Sequence, residues 1–130
     1  LLNELGLNLN LAPVVDVVDD KNAYMYERSI QGNTTLTSEY AKTVIEASLN
    51  TGVSYTLKHF PGYGNNNDTH LGSAIDNRSY DEIYSNDLPP FETGIKAGAE
   101  AVLVSHNIVN GIDGNNPASI SPTIHNPSYH

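Results

Sequence analysis

Residues 53–57 read VSYTL and run directly into KHFPGYGNNNDTH at residues 58–70. The first run is short, β-branched and aromatic, which predicts a strand. Glycine and asparagine are frequent in residues 61–67 and predict a loop. Lysine, histidine and aspartate side chains are therefore concentrated just past the carboxyl end of a strand, and packing alone does not explain such a concentration.

Two further strands are predicted, one on either side of this stretch. Residues 7–11 alternate leucine with asparagine and stop at Ala12-Pro13, after which a short apolar run leads to Asp16. Residues 101–104 read AVLV and precede Ser105-His106-Asn107. Each of the three predicted strands therefore leads into polar side chains.

Helical patterns fill the intervals between the strands. Apolar residues recur at helical spacing through residues 37–50, for which we expect Thr37 or Ser38 as the N-cap. The S-x-x-E spacing that starts at Ser79 matches a capping box. Pro89-Pro90 is expected to break that helical stretch before a second short helix.

Strands that alternate with helices predict an α/β fold with a parallel sheet, in which ligands collect at the carboxyl ends of the strands. Asp16, Lys58-His59 and Ser105-His106 fall at such ends, as active-site residues do in a β/α barrel. About three βα units fit into the 130 residues, whereas a full (β/α)8 TIM barrel needs roughly 250. We therefore expect residues 1–130 to be a single segment of a barrel, truncated at both ends.

The composition excludes several classes of partner. Six Lys and Arg against 15 Asp and Glu give a net charge of −9, which repels phosphate backbones and makes nucleic acid an unsuitable partner. The chain contains no cysteine, so any metal site would need His and carboxylate ligands. Neither a membrane span nor a signal peptide is predicted.

Asp68 and His70 lie two residues apart in the predicted loop. In an extended loop such residues point the same way, so the carboxylate can accept a hydrogen bond from one imidazole nitrogen and fix the tautomer. The other nitrogen is then free to protonate a leaving oxygen and later to act as a base. The pair is a candidate for the acid/base half of a hydrolytic site.

The motif at residues 58–70 resembles the KHFPGHG…D-S/T-H signature of family 3 glycoside hydrolases of the β-N-acetylhexosaminidase type, in which the Asp-His pair is the general acid/base. The flanking segments are similar to the same family's pattern. They are LNLNLAPVVDV at residues 7–17, YERSI at residues 26–30, AVLVSHNIV at residues 101–109 and PASISP at residues 117–122.

The resemblance implies a bacterial carbohydrate hydrolase without a cofactor that releases terminal β-linked N-acetylglucosamine, for example from cell-wall fragments. It leaves the compartment open between the cytoplasm and the cell envelope or exterior. It implies a partial TIM barrel as the fold and Asp68 with His70 as the catalytic dyad. The residues that it assigns to the sugar are Asp16, Arg28, Lys58 and His59, with His106 lining the pocket.

Three positions depart from the family pattern. Tyr63 stands where the signature has its second histidine, and Ile30 replaces the phenylalanine of the RSF segment. These two changes leave a β-glucosidase of the same family as an alternative. NPSYH at residues 126–130 stands where the family continues toward an Asp nucleophile. Because a retaining mechanism needs that second carboxylate, we expect the isolated chain to be inactive.

Two other classes of protein remain as alternatives. In a metal-dependent barrel hydrolase, Zn²⁺ would be bound at the strand ends by His59, Asp68, His70 and His106. A non-catalytic sugar-binding or assembly module would leave the edges of an incomplete barrel open, and open edges favour a homo-oligomer.

Each candidate residue also has a purely structural interpretation. Asp16 and Arg28 can form an ion pair that fixes a loop, and His59 can be a buried histidine without contact to a ligand. Lys58 can be a solvated residue at a strand end. Asp68 with His70 can belong to a turn, and His106 can cap the following helix or turn.

Overall fold

The computed structural model describes residues 1–66 and 74–126. Within these residues, short parallel strands alternate with α-helices, as predicted. The strands are β1 Leu9–Asn10, β2 Ser54–Phe60, β3 Ile75–Asp76, β4 Ala101–Val104 and β5 Ile108–Val109. The helices are α1 Thr34–Ser48, α2 Tyr80–Asn86 and α3 Leu88–Lys96.

Three of the strands form one parallel sheet in the order β1-β2-β4. The chain passes from β1 to β2 through α1 and from β2 to β4 through α2 and α3, which supplies the crossovers that parallel strands require. β3 and β5 form a separate two-stranded parallel sheet. The sequence did not predict this second sheet, because a two-residue strand is too short to show an alternating pattern.

β2 extends beyond the predicted residues 53–57 and ends at Phe60. Lys58 pairs with Leu103 of β4 and also bridges Val14 on its other side, which lengthens the strand. The register with β4 then shifts between Lys58 and Phe60, so that His59 is an extra residue in β2. Such bulges redirect side chains and are frequent beside active sites.

α1 begins at Thr34, and its N-cap is Asn33, whose side-chain oxygen accepts a hydrogen bond from the Leu36 amide at 2.9 Å. The prediction of Thr37 or Ser38 as the cap was wrong. Both hydroxyls lie inside the helix and donate to carbonyls one turn earlier. Ser and Thr can form either local bond, so the residue type alone did not decide which of these positions begins the helix.

The two predictions for residues 79–90 are confirmed. Ser79 accepts a hydrogen bond from the Glu82 amide, and the Glu82 carboxylate accepts one from the Ser79 amide, which together form a capping box at the start of α2. The helix stops at Asn86, and Pro89 and Pro90 lie in the first turn of α3. Proline is tolerated there because the first amides of a helix have no carbonyl partner within it.

α1 and α3 pack against each other and against the sheet. The core between them consists of Val15, Ala41, Ile45, Leu57 and Phe91, each at most 1% exposed. A second cluster lies beyond the end of β4 and contains Ile83, Val109, Ala118 and Ile124. No helix in the described part of the chain is long and apolar enough to cross a membrane.

Candidate active site

Asp16 lies at the carboxyl end of the sheet, where the Val15 amide donates to the Lys58 carbonyl at 2.8 Å and fixes the segment beside β2. Its side chain is fully buried. One carboxylate oxygen accepts a hydrogen bond from the Tyr63 amide at 2.7 Å. The other lies 3.2 Å from the His59 amide nitrogen and 2.9 Å from His59 Nδ1. Asp16 therefore connects the bulge in β2 to the loop that follows it.

The Asp16 contact determines the orientation of the His59 ring and which of its nitrogens faces the carboxylate. A carboxylate can only accept hydrogen bonds, so His59 Nδ1 must carry the proton in this contact. Nε2 is then the nitrogen left for another partner. The ring of Tyr63 packs edge-on against the imidazole with centroids 5.2 Å apart, and 13% of the His59 side chain is exposed. His59 is thus mostly enclosed and held in one orientation.

Lys58 and Arg28 bring positive charge to the same end of the sheet. Burial lowers the pKa of Lys58, the Arg28 charge lowers it further, and Asp16 opposes both. Lys58 is half-buried rather than solvated. Arg28 is exposed, donates to the Tyr24 hydroxyl at 3.2 Å and lies over the Tyr24 ring. The alternative interpretation of Asp16 and Arg28 as an ion pair is not found among the described residues, where the Asp16 carboxylate contacts the His59 imidazole instead.

His106 follows β4 and is exposed. The preceding Ser105 amide donates to the Phe60 carbonyl at 2.9 Å, which places the ends of β2 and β4 side by side. His106 Nδ1 lies 2.8 Å from the Ser119 hydroxyl, in the short 3₁₀ turn Ala118–Ile120. The imidazole therefore has a partner in that turn.

The predicted dyad, Asp68 and His70, lies outside the described residues. The same holds for two of the four ligands in the zinc alternative. Among residues 1–66 and 74–126 no group of three or more His, Asp or Glu side chains is arranged to hold a metal ion.

A buried ionic cluster packs against the loop that follows β2, and the sequence did not predict it. The Arg78 guanidinium donates to Asp76 at 2.7 Å and to Asp87 at 2.6 Å, and both carboxylates are 1% exposed. Burial raises the pKa of Asp87 to about 7, although the charge and hydrogen bond of Arg78 lower it. Asp76 and Arg78 are two residues apart in the sequence, but only the fold brings Asp87 to them.

A cleft of about 940 Å³ opens beside this ionic cluster. Asp76, Arg78 and Asp87 line it, together with Gly64 and Asn65, whereas Asp16, Lys58 and His59 do not. Asn66 and Ile75, which flank the undescribed residues 67–73 in the sequence, also line it. The candidate residues Asp16, Lys58 and His59 therefore lie at the strand ends, outside the lining of this cleft.

The fold and the candidate site define a class of α/β protein. In this class a parallel sheet carries a buried carboxylate, an oriented imidazole and two basic side chains at its carboxyl end. Residues 2–126 match the model of the glycosyl hydrolase family 3 N-terminal domain. The chain belongs to this family.

A Beta-hexosaminidase of Stenotrophomonas maltophilia (strain K279a) is 39% identical over 118 residues, which cover 90% of this chain and 35% of that protein. A family 3 beta-N-acetylglucosaminidase from Paenibacillus sp. str. FPU-7 superposes with a TM-score of 0.89 at 27% identity, covering 95% of this chain and 24% of the other. NagZ from Neisseria gonorrhoeae superposes with a TM-score of 0.80 at 31% identity, covering 90% of this chain and 34% of the NagZ chain. The chain thus spans about a third of the curated relative's length.

Proposed function

We propose that residues 1–130 are part of the catalytic (β/α)8 barrel of a longer family 3 glycoside hydrolase and supply about three of its βα units. The parallel order β1-β2-β4 with helical crossovers supports this arrangement, since a barrel extends the same pattern until it closes. The relatives are about three times as long as the segment they share with this chain. The remaining units would come from outside residues 1–130.

We further propose that the reaction is the retaining hydrolysis of O-glycosidic bonds with release of terminal β-linked N-acetylglucosamine. The observation that carries this proposal is the buried Asp16 carboxylate, which orients the His59 imidazole beside Lys58 at the carboxyl end of the sheet. Sugar hydroxyls need both donors and acceptors at fixed positions. This cluster offers ammonium donors and one imidazole nitrogen, and the names of the relatives agree with an amino-sugar substrate.

In the proposed site, His59 Nε2 and the Lys58 ammonium contact the hydroxyls or the acetamido group of the sugar. Arg28 reaches the same group from the loop before α1. Asp16 has both oxygens engaged by His59 and Tyr63, so its contribution to sugar binding includes holding that imidazole. His106 would line the pocket beside β4.

The acid/base step is assigned to Asp68 and His70 on their sequence motif. The imidazole first protonates the leaving oxygen while a carboxylate from outside residues 1–130 attacks the anomeric carbon. It then takes a proton from the water that hydrolyses the glycosyl-enzyme. Two inversions give net retention, and the dyad ends the cycle in the state in which it began.

The test is hydrolysis of a chromogenic β-N-acetylglucosaminide and of the matching β-glucoside. The substrates are given to the 130-residue chain, to the longer protein that contains it, and to that protein with His70→Ala or Lys58→Met. We expect activity only in the longer protein, with loss of about two orders of magnitude or more for His70→Ala. Lys42→Met, which changes an exposed lysine of α1, is the control and should retain full activity.

Each other outcome changes a specific part of the proposal. Full activity of the His70→Ala protein would refute the dyad, and preference for the glucoside would identify a β-glucosidase, as the Tyr63 departure allows. Stoichiometric Zn²⁺ in the purified protein would favour the metal-dependent alternative. Inactivity of a folded longer protein on both glycosides would leave a sugar-binding module.

A further inference from the structure

The loop after β2 reaches Asp16 through one amide between two glycines. The amide of Tyr63 donates to the Asp16 carboxylate at 2.7 Å. Gly62 has φ +133° and Gly64 has φ +54°, a region of backbone conformation that residues with a side chain rarely adopt. The position of the Tyr63 amide therefore depends on the side chains that pack against Gly62 and Gly64.

The support is the ionic cluster of Asp76, Arg78 and Asp87. A Cβ atom built on Gly62 would lie 2.4 Å from an Asp87 carboxylate oxygen, and one on Gly64 would lie 2.6 Å from Arg78 Cζ. The backbone of the loop thus rests directly on the Arg78–Asp87 ion pair, with one glycine against each member. Arg78 Nη2 also lies 3.5 Å from the Gly62 carbonyl oxygen.

Arg78 can hold this arrangement because its guanidinium is planar and has several donors at fixed angles. Nε and Nη2 face Asp76, while Nη1 donates to Asp87 at 2.6 Å. Lysine has the same charge but concentrates it at one ammonium, so it cannot reproduce the two-sided contact. Since both carboxylates are buried, they cannot turn to water instead.

We propose that Arg78 is a positioning residue, which acts through the glycine-flanked loop to fix the Tyr63 amide on Asp16 and thereby orients His59. The ion pair supports Gly62 and Gly64, these place the Tyr63 amide, and the amide holds one oxygen of Asp16 while the other holds the imidazole. The effect on catalysis rests on the proposed glycosidase function, whereas the effect on the loop does not.

The first experiment measures the loop directly in the 130-residue chain, at a pH above the Asp87 pKa of about 7 so that the ion pair with Arg78 is formed. In a ¹⁵N-tyrosine-labelled sample, the Tyr63 amide is identified by its loss in Tyr63→Phe. Arg78→Lys should move this amide signal upfield by more than any other tyrosine amide, because its hydrogen bond to the carboxylate lengthens. Asp87→Asn keeps the side-chain volume and is the second variant if Arg78→Lys does not fold. Lys96→Arg, a charge-conserving change in an exposed ion pair, should leave the Tyr63 amide unmoved.

The second experiment measures kcat/KM of the longer protein at a temperature well below the melting point of every variant. Arg78→Lys should lower kcat/KM by about tenfold to a hundredfold, the effect of a small displacement of positioned groups. A residue that only stabilised the fold would lower the melting temperature and leave kcat/KM unchanged.

An unmoved Tyr63 amide in folded Arg78→Lys and Asp87→Asn proteins overturns the proposal, whatever the kinetics. A shifted amide with unchanged kcat/KM in an active enzyme also overturns it, because the loop would then not position the site. If the unsubstituted longer protein cleaves no glycoside, the proposed function fails, and the amide measurement still decides whether Arg78 positions the loop.

Discussion

Both carboxylate oxygens of Asp16 accept hydrogen bonds from residues that follow it by more than forty positions in the chain. This makes Asp16 a support for His59 as well as a candidate sugar ligand. A buried carboxylate needs such partners, since removal from water costs several kcal/mol when it is not compensated. The family resemblance implied only contact with the sugar, and the geometry adds the orienting contact with the imidazole.

At the scale of a single residue, the Asp87 carboxyl group should make the stability of the folded chain depend on pH. Burial raises its pKa from an ordinary value near 4 to about 7 in the folded chain. Between these pH values the folded state keeps a proton that the unfolded state has released. The free energy of unfolding should therefore decrease as the pH rises from about 4 to 7, by at most about 1.4 kcal/mol per pH unit from this group.

Urea unfolding of the wild-type chain and of Asp87→Asn across that pH range tests this prediction. The asparagine cannot titrate, so its slope against pH should be less negative than that of the wild-type chain. Glu39→Gln, at an exposed carboxylate of α1, should keep the wild-type slope. Equal slopes for wild type and Asp87→Asn would mean that Arg78 keeps Asp87 ionised throughout.

At the scale of single elements, the start of α1 can be tested by two matched substitutions. Asn33→Ala removes the side-chain acceptor of the Leu36 amide and should lower the free energy of unfolding by about 1 kcal/mol. Ser38→Ala removes a hydroxyl that bonds only to the preceding turn, and its effect should stay within about 0.5 kcal/mol. Chemical denaturation measures both, and a larger loss for Ser38→Ala would contradict the assigned cap.

The helix α2 and the strand β4 show which element boundaries are determined by the nearby sequence. The capping box at Ser79 and the run of residues 101–104 are both found where the sequence predicted them. The end of β2 is not determined by the nearby sequence, because Lys58 belongs to the strand through its pairing with β4 and with Val14. A pattern of residue types cannot contain that information, since it depends on neighbours distant in sequence.

At the scale of the whole molecule, the two outer strands of the sheet should promote self-association. Among residues 1–66 and 74–126, β1 and β4 each have one strand neighbour in this sheet, and Leu9 on β1 is 51% exposed. Unpaired strand edges pair with other copies. We predict a dimer or larger species of the 130-residue chain in sedimentation velocity at high protein concentration.

Leu9→Lys should shift the chain toward monomer, because a charged lysine on an edge strand opposes pairing. Leu36→Lys changes a leucine of similar exposure that lies on helix α1 and not on a strand, and it should leave the distribution unchanged. A monomer at all concentrations would refute association through the edges. Equal effects of the two substitutions would place the contact elsewhere.

The sequence alone determined the alternation of strands and helices and the family motif, and it predicted the residues of the candidate site. These follow from local periodicity, from turn chemistry and from residue types at short spacing. The tertiary structure decided that Asp16 pairs with His59 rather than Arg28, and that Gly62 and Gly64 rest on Arg78 and Asp87. Those contacts join segments far apart in the chain, and their energies arise only when burial removes the charged groups from water.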